Sequence, residues 1–408
     1  MITIKRAVLI ALGDELLSGI RREGNCAWLA GKLSRAGWKV ECMEIIPDGN
    51  SSLSPFLEKW IGNTDLLVLS GGLGPTHDDC TRQALAAFLG TGLERADEAY
   101  DKILSRYPDD MRKNLENSRD TQGIIPSGTR PLHNPAGSAL GVAFEKDGTK
   151  VLAFPGVPVE FTAMAEQELS GELGPKNGTW ASVLIAGWAE SLLKDRLAPV
   201  INRRELHITI LPAPGLIEFY IRGTPENVAR AAEDVRALVP NDWLPEGAGS
   251  LAGAAVMAAA EKRLTLACAE SCTGGMVGAA LTSIPGSSEV FFGSAVCYSN
   301  TAKKSILSVN EETLLHHGAV SSLCAAEMAL GAQKIYGTDI AVSVTGIAGP
   351  GGGAPEKPVG TVWFGLADRG GVETVKRIFT GDRETVRTRA KNFALDRLWR
   401  KIREAPGE

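Results

Sequence analysis

Short apolar runs that alternate with helical stretches are the feature of this chain that most limits its fold. In the first 172 residues these runs are AVLIAL (7–12), KVECMEII (39–46) and DLLVLSGG (65–72). The stretches between them, NCAWLAGKLSRAG (25–37) and SSLSPFLEKWIG (51–62), have the pattern of helices. Apolar runs of strand length separated by helices predict βαβ units, whose parallel strands end along one edge of a sheet.

The alternation of strands and helices is interrupted once, so the sequence predicts three structural regions. After a Gly/Pro/Asn break, residues 173–245 follow the order strand, helix, two strands and helix, and they contain no dense motif. A new strand, LTLACAE, then begins a second alternating region. The sequence therefore predicts the α/β class, with two unrelated three-layer α/β domains (1–172 and 246–408) joined by a small α+β, KH-like module (173–245) that serves as a spacer or assembly domain. GVAFEKDGTKVLAF (141–154) predicts a hairpin.

Charge and cysteine content narrow the class of protein. The net charge of −5 argues against a surface built for nucleic acid. Seven cysteines without paired CxxC motifs, and five histidines without an HExxH pattern, predict reduced, buried thiols in a cytoplasmic protein. The apolar run near the N-terminus is too short for a membrane span, so we expect no membrane association.

Two motifs rich in glycine and aspartate follow predicted strands of the first domain. GDELLSG carries Asp14, and SGGLGPTHDD carries Gly72, Asp78 and Asp79. Glycines at a strand end let backbone N–H groups approach a ligand, and a helix start suits an anion such as phosphate. The two neighbouring aspartates could hold a divalent cation or position a water molecule. The alternative is that an aspartate caps the helix and the glycines only form a turn.

The stretch ACAESCTGGMVG (267–278) places several nucleophilic side chains at the end of a predicted strand. Alternation along the strand points Cys268 into the core, and Cys272 has no histidine placed to form its thiolate, so Ser271 is the preferred nucleophile. The corner from strand to helix brings backbone N–H groups near Gly274 beside this serine, as an oxyanion hole requires.

A serine nucleophile needs a base, and the sequence leaves two sources open. His316 and His317 lie at a polar helix end, with no acid evident in the sequence to orient them. Lys303, in AVCYSNTAKKSIL (295–307), enters a helix from a buried strand, and burial would make it partly neutral. The alternative is that Lys303 is a solvated lysine on the helix surface, like Lys304.

Two further segments add candidate ligand contacts. The loop SVTGIAGPGGGAPEKPVGTV (343–362) starts at a strand end with Thr345 and Gly346, which favours a pocket shared with Ser271, although a flexible linker is the alternative. FTGDRETVR places Arg383 at a helix start, where it could clamp a phosphate or serve only as a surface charge.

The N-terminal motifs resemble those of a known family. GDELLSG, Asn25, GGLGPTHDDCT, NPAGSALG (134–141) and FPGVPVEF (154–161) are similar, in order and spacing, to the molybdopterin-binding-like domain of the CinA proteins. The resemblance implies a nucleotide or pterin pocket that includes Asp14, Gly72, Asp78 and Asp79. It also implies an ADP-ribose pyrophosphatase activity that depends on a divalent metal (Mg, Co or Mn), with Asp78 and Asp79 as metal ligands.

The C-terminal motifs resemble the second domain of the same family, the nicotinamide mononucleotide deamidase domain. The matching motifs are AESCTGG, YSNxxK, hGAVS, VTGIAGPGGG with KPVGTV, and FxGDR. The resemblance implies a cofactor-free serine/lysine amidohydrolase with Ser271 as nucleophile and Lys303 as base. It assigns Tyr298 and Thr345 to positioning the dyad and substrate, and it assigns Arg383, Asn300, Gly274 and Gly346 to substrate binding.

The whole-chain hypothesis is a two-site, homodimeric enzyme of pyridine nucleotide salvage that acts on nicotinamide mononucleotide and ADP-ribose. The alternatives are a non-catalytic scaffold associated with competence or recombination, and a protein that only binds a pterin or nucleotide. The presence of Ser271, Tyr298 and Lys303 together favours the enzyme, because a binding protein would have little need of them.

Overall fold

The computed structural model describes residues 5–173 and 180–406 and divides the chain into two compact units, residues 1–177 and 178–408. Most of the predicted break at 171–179 lies outside the described residues. The second unit contains both the small module and the C-terminal domain.

A six-stranded sheet is the centre of the first unit. The strands of this unit are β1 (Arg6–Leu12), β2 (Lys39–Ile46), β3 (Leu66–Ser70), β4 (Leu93–Arg95), β5 (Ile124–Pro126), β6 (Arg130–Leu132), β7 (Gly141–Lys146) and β8 (Thr149–Phe154). The sheet order is β2-β1-β3-β8-β7-β6. The strands β2, β1, β3 and β8 run parallel to one another, β7 pairs antiparallel with β8, and β6 pairs antiparallel with β7. The predicted hairpin is confirmed: Asp147 and Gly148 have the positive φ values, 51° and 77°, of a tight hairpin turn.

Helices cover both faces of this sheet. They are α1 (Asp14–Leu17), α2 (Asn25–Arg35), α3 (Asn50–Trp60), α4 (Thr81–Leu89), α5 (Asp97–Leu104), α6 (Asp109–Glu116), α7 (Arg119–Gln122) and α8 (Pro158–Glu168). Successive residues of a strand face opposite sides of the sheet. Leu9 of β1 accordingly packs in the core that includes α2 and α8, while Ile10 packs in the core that includes α3 and α4. The predicted three-layer α/β arrangement is confirmed for this unit.

The small module has a core of its own, between one sheet face and its helices. Its elements are β9 (Trp180–Ala186), α9 (Glu190–Arg196), α10 (Ala198–Ile201), β10 (His207–Ala213), β11 (Leu216–Arg222) and α11 (Pro225–Leu238). The sheet is antiparallel in the order β10-β11-β9. Only Leu197 separates α9 from α10. The module therefore does not have, between these helices, the GxxG loop with which KH domains clamp a nucleic-acid backbone.

The C-terminal domain is built on a five-stranded sheet in the order β13-β12-β14-β15-β16. Its elements are α12 (Leu251–Lys262), β12 (Leu266–Glu270), α13 (Met276–Thr282), β13 (Phe291–Val296), α14 (Asn300–Leu307), α15 (Glu311–His316), α16 (Ser322–Tyr336), β14 (Ile340–Gly346), β15 (Thr361–Asp368), β16 (Gly371–Ile378) and α17 (Arg383–Glu404). β12 is parallel to both β13 and β14, while β15 and β16 add antiparallel strands. One core packs α12 and α17 on the sheet, and a second packs α16 on the opposite face.

Among the described residues, no helix has the length and apolar character that crossing a bilayer requires.

Candidate active site

Ser271 lies at the carboxyl edge of the C-terminal sheet, directly after β12, which pairs with β13 and β14. Its backbone N–H donates to the carbonyl oxygen of Val344 on β14 at 2.9 Å, and the residue is 8% exposed. Gly274 and Gly275 follow with φ values of 61° and 96°. These are conformations that residues with a side chain rarely adopt. The glycine pair therefore lets the chain turn from β12 into α13, as the motif predicts.

The Glu270 carboxylate holds this turn together. It is fully buried and accepts the backbone N–H groups of Gly275 (3.0 Å), Val277 (3.1 Å) and Gly278 (2.8 Å). It also accepts the hydroxyl of Ser294 on β13 at 2.8 Å. A carboxylate at a helix start satisfies N–H groups that have no partner within the helix and favourably opposes the helix dipole. Glu270 thus fixes the loop that carries Ser271.

Lys303 is buried next to Ser271, which excludes the alternative of a solvated lysine. It is 1% exposed, and its Nζ lies 2.9 Å from Ser271 Oγ. The Nζ also donates to the carbonyl oxygens of Cys297 (2.9 Å) and Tyr298 (3.1 Å). Its neighbour Lys304 is solvated and pairs with Glu311.

The environment of Lys303 favours its neutral form. Burial lowers its pKa below the ordinary value of lysine, and the nearby Cys324 and Cys297 oppose this shift only in part. Desolvation penalises an ammonium group unless a carboxylate compensates. Among the described residues, Lys303 forms no ion pair.

The three partners of Lys303 differ in their hydrogen-bonding capacity. The carbonyl oxygens of Cys297 and Tyr298 can only accept, so they take the two hydrogens of a neutral amine. The remaining lone pair then faces Ser271, whose hydroxyl can donate. This arrangement has the geometry of a general base and its nucleophile.

The neighbouring thiols are poor nucleophiles. Burial raises the pKa of Cys272 to about 11 and that of Cys268 well above its ordinary value. Both therefore remain protonated near neutral pH, and the thiolate is the reactive species of cysteine. Ser271 is the nucleophilic side chain of this loop that has a base within hydrogen-bonding distance.

Tyr298 and Arg383 contact each other at the exposed side of the site. Arg383 donates to the Tyr298 hydroxyl at 3.1 Å and to the Gly349 carbonyl at 2.8 Å. The Tyr298 side chain is 63% exposed, while its backbone carbonyl contacts Lys303. The structure thus joins the strand-to-helix segment, the glycine-rich loop and the start of α17 in one region.

Three other predicted residues differ in their surroundings: Thr345 and Gly346 are packed against neighbouring residues, whereas Asn300 is exposed. Thr345 is 1% exposed and donates its hydroxyl to the Ala319 carbonyl at 2.7 Å, so this bond does not reach the dyad. A Cβ at Gly346 would lie 2.7 Å from the Val362 side chain. Asn300 is the exposed first residue of α14.

The sequence analysis gave no role to Glu270 or Arg387. Arg387 of α17 donates to the carbonyl oxygens of Cys272 (3.1 Å) and Thr273 (3.2 Å), which ties the nucleophile loop to that helix. The signal for Glu270 was its position next to the nucleophile on a buried strand. His316 does have an acid, Glu312, at 2.9 Å, contrary to our expectation. Both side chains are exposed, however, whereas Lys303 Nζ lies within hydrogen-bonding distance of Ser271 Oγ.

The predicted residues of the first unit surround a cavity of about 290 Å³ at the carboxyl ends of its parallel strands. Gly72, Asp78 and Asp79 line it as predicted. Glu15, Arg21, Asp48 and Glu160, which the sequence analysis did not select, line it too. Asp14 is not among the lining residues, although its backbone N–H donates to Asp48 at 3.0 Å.

Glycine identity in this cavity follows from close packing. Gly72 has a φ of 66°, and a Cβ there would lie 2.2 Å from Thr81 Oγ1. Asn25 donates to Ser70 Oγ and to the Gly156 carbonyl, both at 2.9 Å, and so ties the end of β3 to the segment before α8. Both features fix the backbone at the sheet edge.

The two aspartates of this cavity differ in their surroundings. Asp79 accepts the backbone N–H and the hydroxyl of Thr76, whereas Asp78 is exposed. Burial, together with the carboxylates of Asp14, Glu15 and Asp78, raises the pKa of Asp48. Among the described residues, no three His, Cys, Asp or Glu side chains form a group ready to hold a metal ion.

Comparisons with known proteins match the whole chain. Residues 8–174 match the family model "Probable molybdopterin binding domain", and residues 249–402 match "CinA C-terminal domain". A CinA-like protein of Thermotoga maritima is 36% identical over 410 residues, which is 97% of this chain and 98% of the relative. A CinA-like protein of Citrifermentans bemidjiense is 36% identical over 402 residues and covers 97% of each chain. The chain belongs to the CinA family.

The two CinA family models leave the small module between them, at residues 175–248. Each of two solved structures matches less than half of the chain. The CinA superfamily protein of Klebsiella pneumoniae is 39% identical, covers 38% of this chain and 97% of its own, and has a TM-score of 0.37. The CinA protein of Thermoplasma acidophilum is 30% identical, covers 42% of this chain and 98% of its own, and has a TM-score of 0.38.

Proposed function

We propose that the C-terminal domain of this CinA protein is an amidohydrolase that converts nicotinamide mononucleotide to nicotinic acid mononucleotide and ammonia. The observation that carries the proposal is the buried Lys303, which contacts the Ser271 hydroxyl at 2.9 Å without an ion pair among the described residues. A scaffold protein would gain nothing from a desolvated lysine, because burial of a charge is costly.

The first chemical step is attack of Ser271 on the carboxamide carbon. Neutral Lys303 accepts the hydroxyl proton as the bond from Oγ to carbon forms, and the carbonyl electrons move to oxygen. The carbonyl oxygens of Cys297 and Tyr298 stabilise the resulting ammonium group. The base therefore gains its charge next to two acceptors that are already in place.

The oxyanion requires backbone donors that are not already occupied. The Gly275 N–H is bound to Glu270, and the Gly274 N–H donates to the Ser271 carbonyl. The N–H groups of Cys272 and Thr273 have no acceptor on another described residue. We therefore assign the oxyanion donors to these two residues, which directly precede the glycine pair. Each such donor contributes about 2.7–4 kcal/mol to transition-state stabilisation in comparable enzymes.

Collapse of the tetrahedral intermediate completes amide cleavage. The protonated Lys303 returns its proton to the amide nitrogen, and ammonia leaves. Lys303, neutral again, then takes a proton from water, whose oxygen attacks the acyl group on Ser271. The bond from the acyl carbon to Ser271 Oγ then breaks, Lys303 returns its proton to Oγ, and the carboxylate product leaves.

Substrate binding uses the exposed side of the site. Arg383 offers a cation to the phosphate, and Tyr298, which contacts it, lies between this arginine and the dyad. We retain Asn300, Thr345, Gly274 and Gly346 as residues that shape the substrate pocket.

Ammonia release from nicotinamide mononucleotide tests the proposal. Ser271→Ala and Lys303→Ala should each lower turnover by roughly a thousandfold or more, as loss of a nucleophile or base does in other hydrolases. Lys304→Ala is the matched control, because it removes an exposed lysine from the same helix and should leave turnover within about twofold. Near-normal turnover in either dyad variant would exclude this mechanism.

We propose as a second function that the cavity of the first unit binds a nucleotide diphosphate such as ADP-ribose and hydrolyses it with a divalent metal. Gly72 lines the cavity with its backbone, and Arg21 lines it with a cation. Asp78 and Asp79 supply carboxylates. Mg²⁺ is commonly held by one or two carboxylates together with substrate phosphates, so this oxygen donor set fits such a metal. The metal would neutralise phosphate charge, while Arg21 would orient the substrate.

This second function is tested by AMP release from ADP-ribose with and without Mg²⁺, Mn²⁺ or Co²⁺. Asp78→Asn should abolish metal-dependent release, whereas Asp109→Asn, an exposed aspartate of α6, should not. Metal-independent release or none at all would contradict the proposal. We also expect a cytoplasmic homodimer that binds neither nucleic acid nor membranes, which light scattering and binding assays can check.

A further inference from the structure

A large cleft in the second unit is not used by either proposed activity. It has a volume of about 990 Å³ and lies between the small module and one face of α17. The module contributes Trp188 and the β10–β11 turn, and the C-terminal domain contributes Arg377 and Arg389. The volume is at the upper end of the range for small-molecule sites.

The walls of this cleft are fixed by specific contacts. Asn392 of α17 donates to the Pro214 carbonyl in the β10–β11 turn. Arg400 donates to Asp242 at 2.8 Å and to Asp396 at 2.9 Å. These bonds hold the module against α17, so the cleft exists without a ligand to form it.

The charges of the cleft are not balanced. Its two carboxylates, Asp242 and Asp396, are both bound to Arg400. Arg389 donates only to the backbone and hydroxyl of Thr380, and Arg377 stacks on the Phe393 ring at 5.0 Å. Neither Arg377 nor Arg389 has a carboxylate partner among the described residues. Arg397 pairs with Glu373 at 3.3 Å, and its buried Nε has no hydrogen-bond partner among the described residues.

Aromatic side chains lie beside these cations. Trp188 donates its indole N–H to Asp242 at 2.9 Å, which fixes the ring in the wall of the cleft. Phe379 and Phe393 contribute to the opposite wall. Aromatic surfaces next to guanidinium groups suit a ligand that combines a planar ring with phosphate.

We propose that this cleft binds a phosphate-bearing nucleotide, with Arg377 and Arg389 on the phosphates and Trp188 beside the base. A free metal ion does not fit, because the uncompensated charges are positive. A nucleic acid strand is disfavoured by the net charge of −5. The site is separate from the Ser271 dyad, although α17 also carries the residues Arg383 and Arg387 that contact the dyad region.

The test is binding of ADP to the full chain, measured by hydrogen–deuterium exchange and by calorimetry. ADP should protect backbone amides of residues 186–189, 212–215 and 377–400. The double variant Arg377→Gln/Arg389→Gln should lose this protection and weaken the corresponding binding step by roughly ten- to hundredfold. Arg204→Gln is the control, because it removes an exposed arginine of the same module. Equal thermal unfolding of the three proteins shows that each is folded.

Competition with inorganic pyrophosphate distinguishes the proposed phosphate contacts of the arginines from the proposed base contact of Trp188. It should compete with ADP at this cleft but bind at least about tenfold more weakly, because it lacks the base that Trp188 would contact. Protection limited to residues 12–15, 71–79 or 268–275 would overturn the proposal, as would unaltered protection of the cleft in the double variant. Binding of a single-stranded oligonucleotide, but not of ADP, through the same arginines would also overturn it.

Discussion

The two α/β domains begin with the same sheet topology but build opposite electrostatic environments on it. In both, the first strand lies between the second and the third, as β2-β1-β3 in one and β13-β12-β14 in the other. In the first unit the candidate residues follow β1 and β3, whereas in the C-terminal domain Ser271 follows β12 and Lys303 follows β13. The N-terminal site collects carboxylates around glycine turns, whereas the C-terminal site buries one lysine that has no ion pair among the described residues.

The two sites therefore differ mainly in the burial of their charged side chains, and burial determines which chemistry such side chains can perform. Carboxylates near water stay charged and can attract a metal with phosphates. A lysine removed from water loses its charge more readily and can act as a base. Glu270 closes the loop after β12 from inside, whereas Gly72, in the loop after β3, lines the N-terminal cavity.

The largest effect on this comparison is expected from Glu270→Ala. The change removes the acceptor of the buried N–H groups of Val277 and Gly278 and of the half-buried N–H of Gly275. Each buried unsatisfied donor costs about 1–3 kcal/mol, so the unfolding free energy of the C-terminal domain should fall by at least about 2 kcal/mol. Denaturant unfolding, monitored by hydrogen exchange of the backbone amides of β12, measures this loss.

Glu289→Ala serves as the control for Glu270→Ala, because Glu289 is exposed in the next loop. Unfolding that is equally affected in both variants would mean that Glu270 does not hold the turn. Glu270→Gln keeps the shape of the side chain but replaces one acceptor oxygen with a donor. It should therefore cost less stability than Glu270→Ala and still lower kcat, since the Ser271 loop shifts.

A comparable loss in the first unit is expected from Gly72→Ala. The φ of 66° disfavours alanine, and the new Cβ would lie 2.2 Å from Thr81 Oγ1. Backbone strain of this kind costs roughly 1–3 kcal/mol, and ADP-ribose binding should weaken with it. Gly92→Ala is the control, because no atom lies within 4 Å of its Cβ position. Equal melting temperatures for the two variants would contradict the assigned role of Gly72.

The two proposed activities should differ in their dependence on pH. Lys303 acts as a base only when neutral, so kcat/KM for deamidation should fall about tenfold per pH unit below its pKa. Because burial lowers that pKa, the fall should begin below the range of an ordinary lysine. Pyrophosphatase activity should not follow this profile. A deamidase profile that rises only near the pKa of free lysine would contradict a desolvated base.

The sequence predicted the strands and their loops well because both sheets are parallel at their centres. The largely apolar runs of β1 and β12 are typical of parallel strands buried on both faces, and the motif residues at the carboxyl ends of such strands share an edge. The sequence could not decide whether Lys303 was buried, because that depends on how α14 packs on the sheet. It also could not reveal Arg387, which reaches the Ser271 loop from more than a hundred residues away.

The smallest effect is expected from Thr345→Val, and it separates a structural from a catalytic role for this residue. The Thr345 hydroxyl donates to the Ala319 carbonyl at 2.7 Å, so valine removes one hydrogen bond at nearly constant volume. The expected loss of stability is about 1 kcal/mol, and deamidase kcat should change less than about threefold. Thr345→Ser restores the hydroxyl and should recover the stability. If Thr345→Val instead lowered kcat more than tenfold without a change in KM or in melting temperature, the hydroxyl would act on the dyad in the complex. The bond to Ala319 would then be only its resting position.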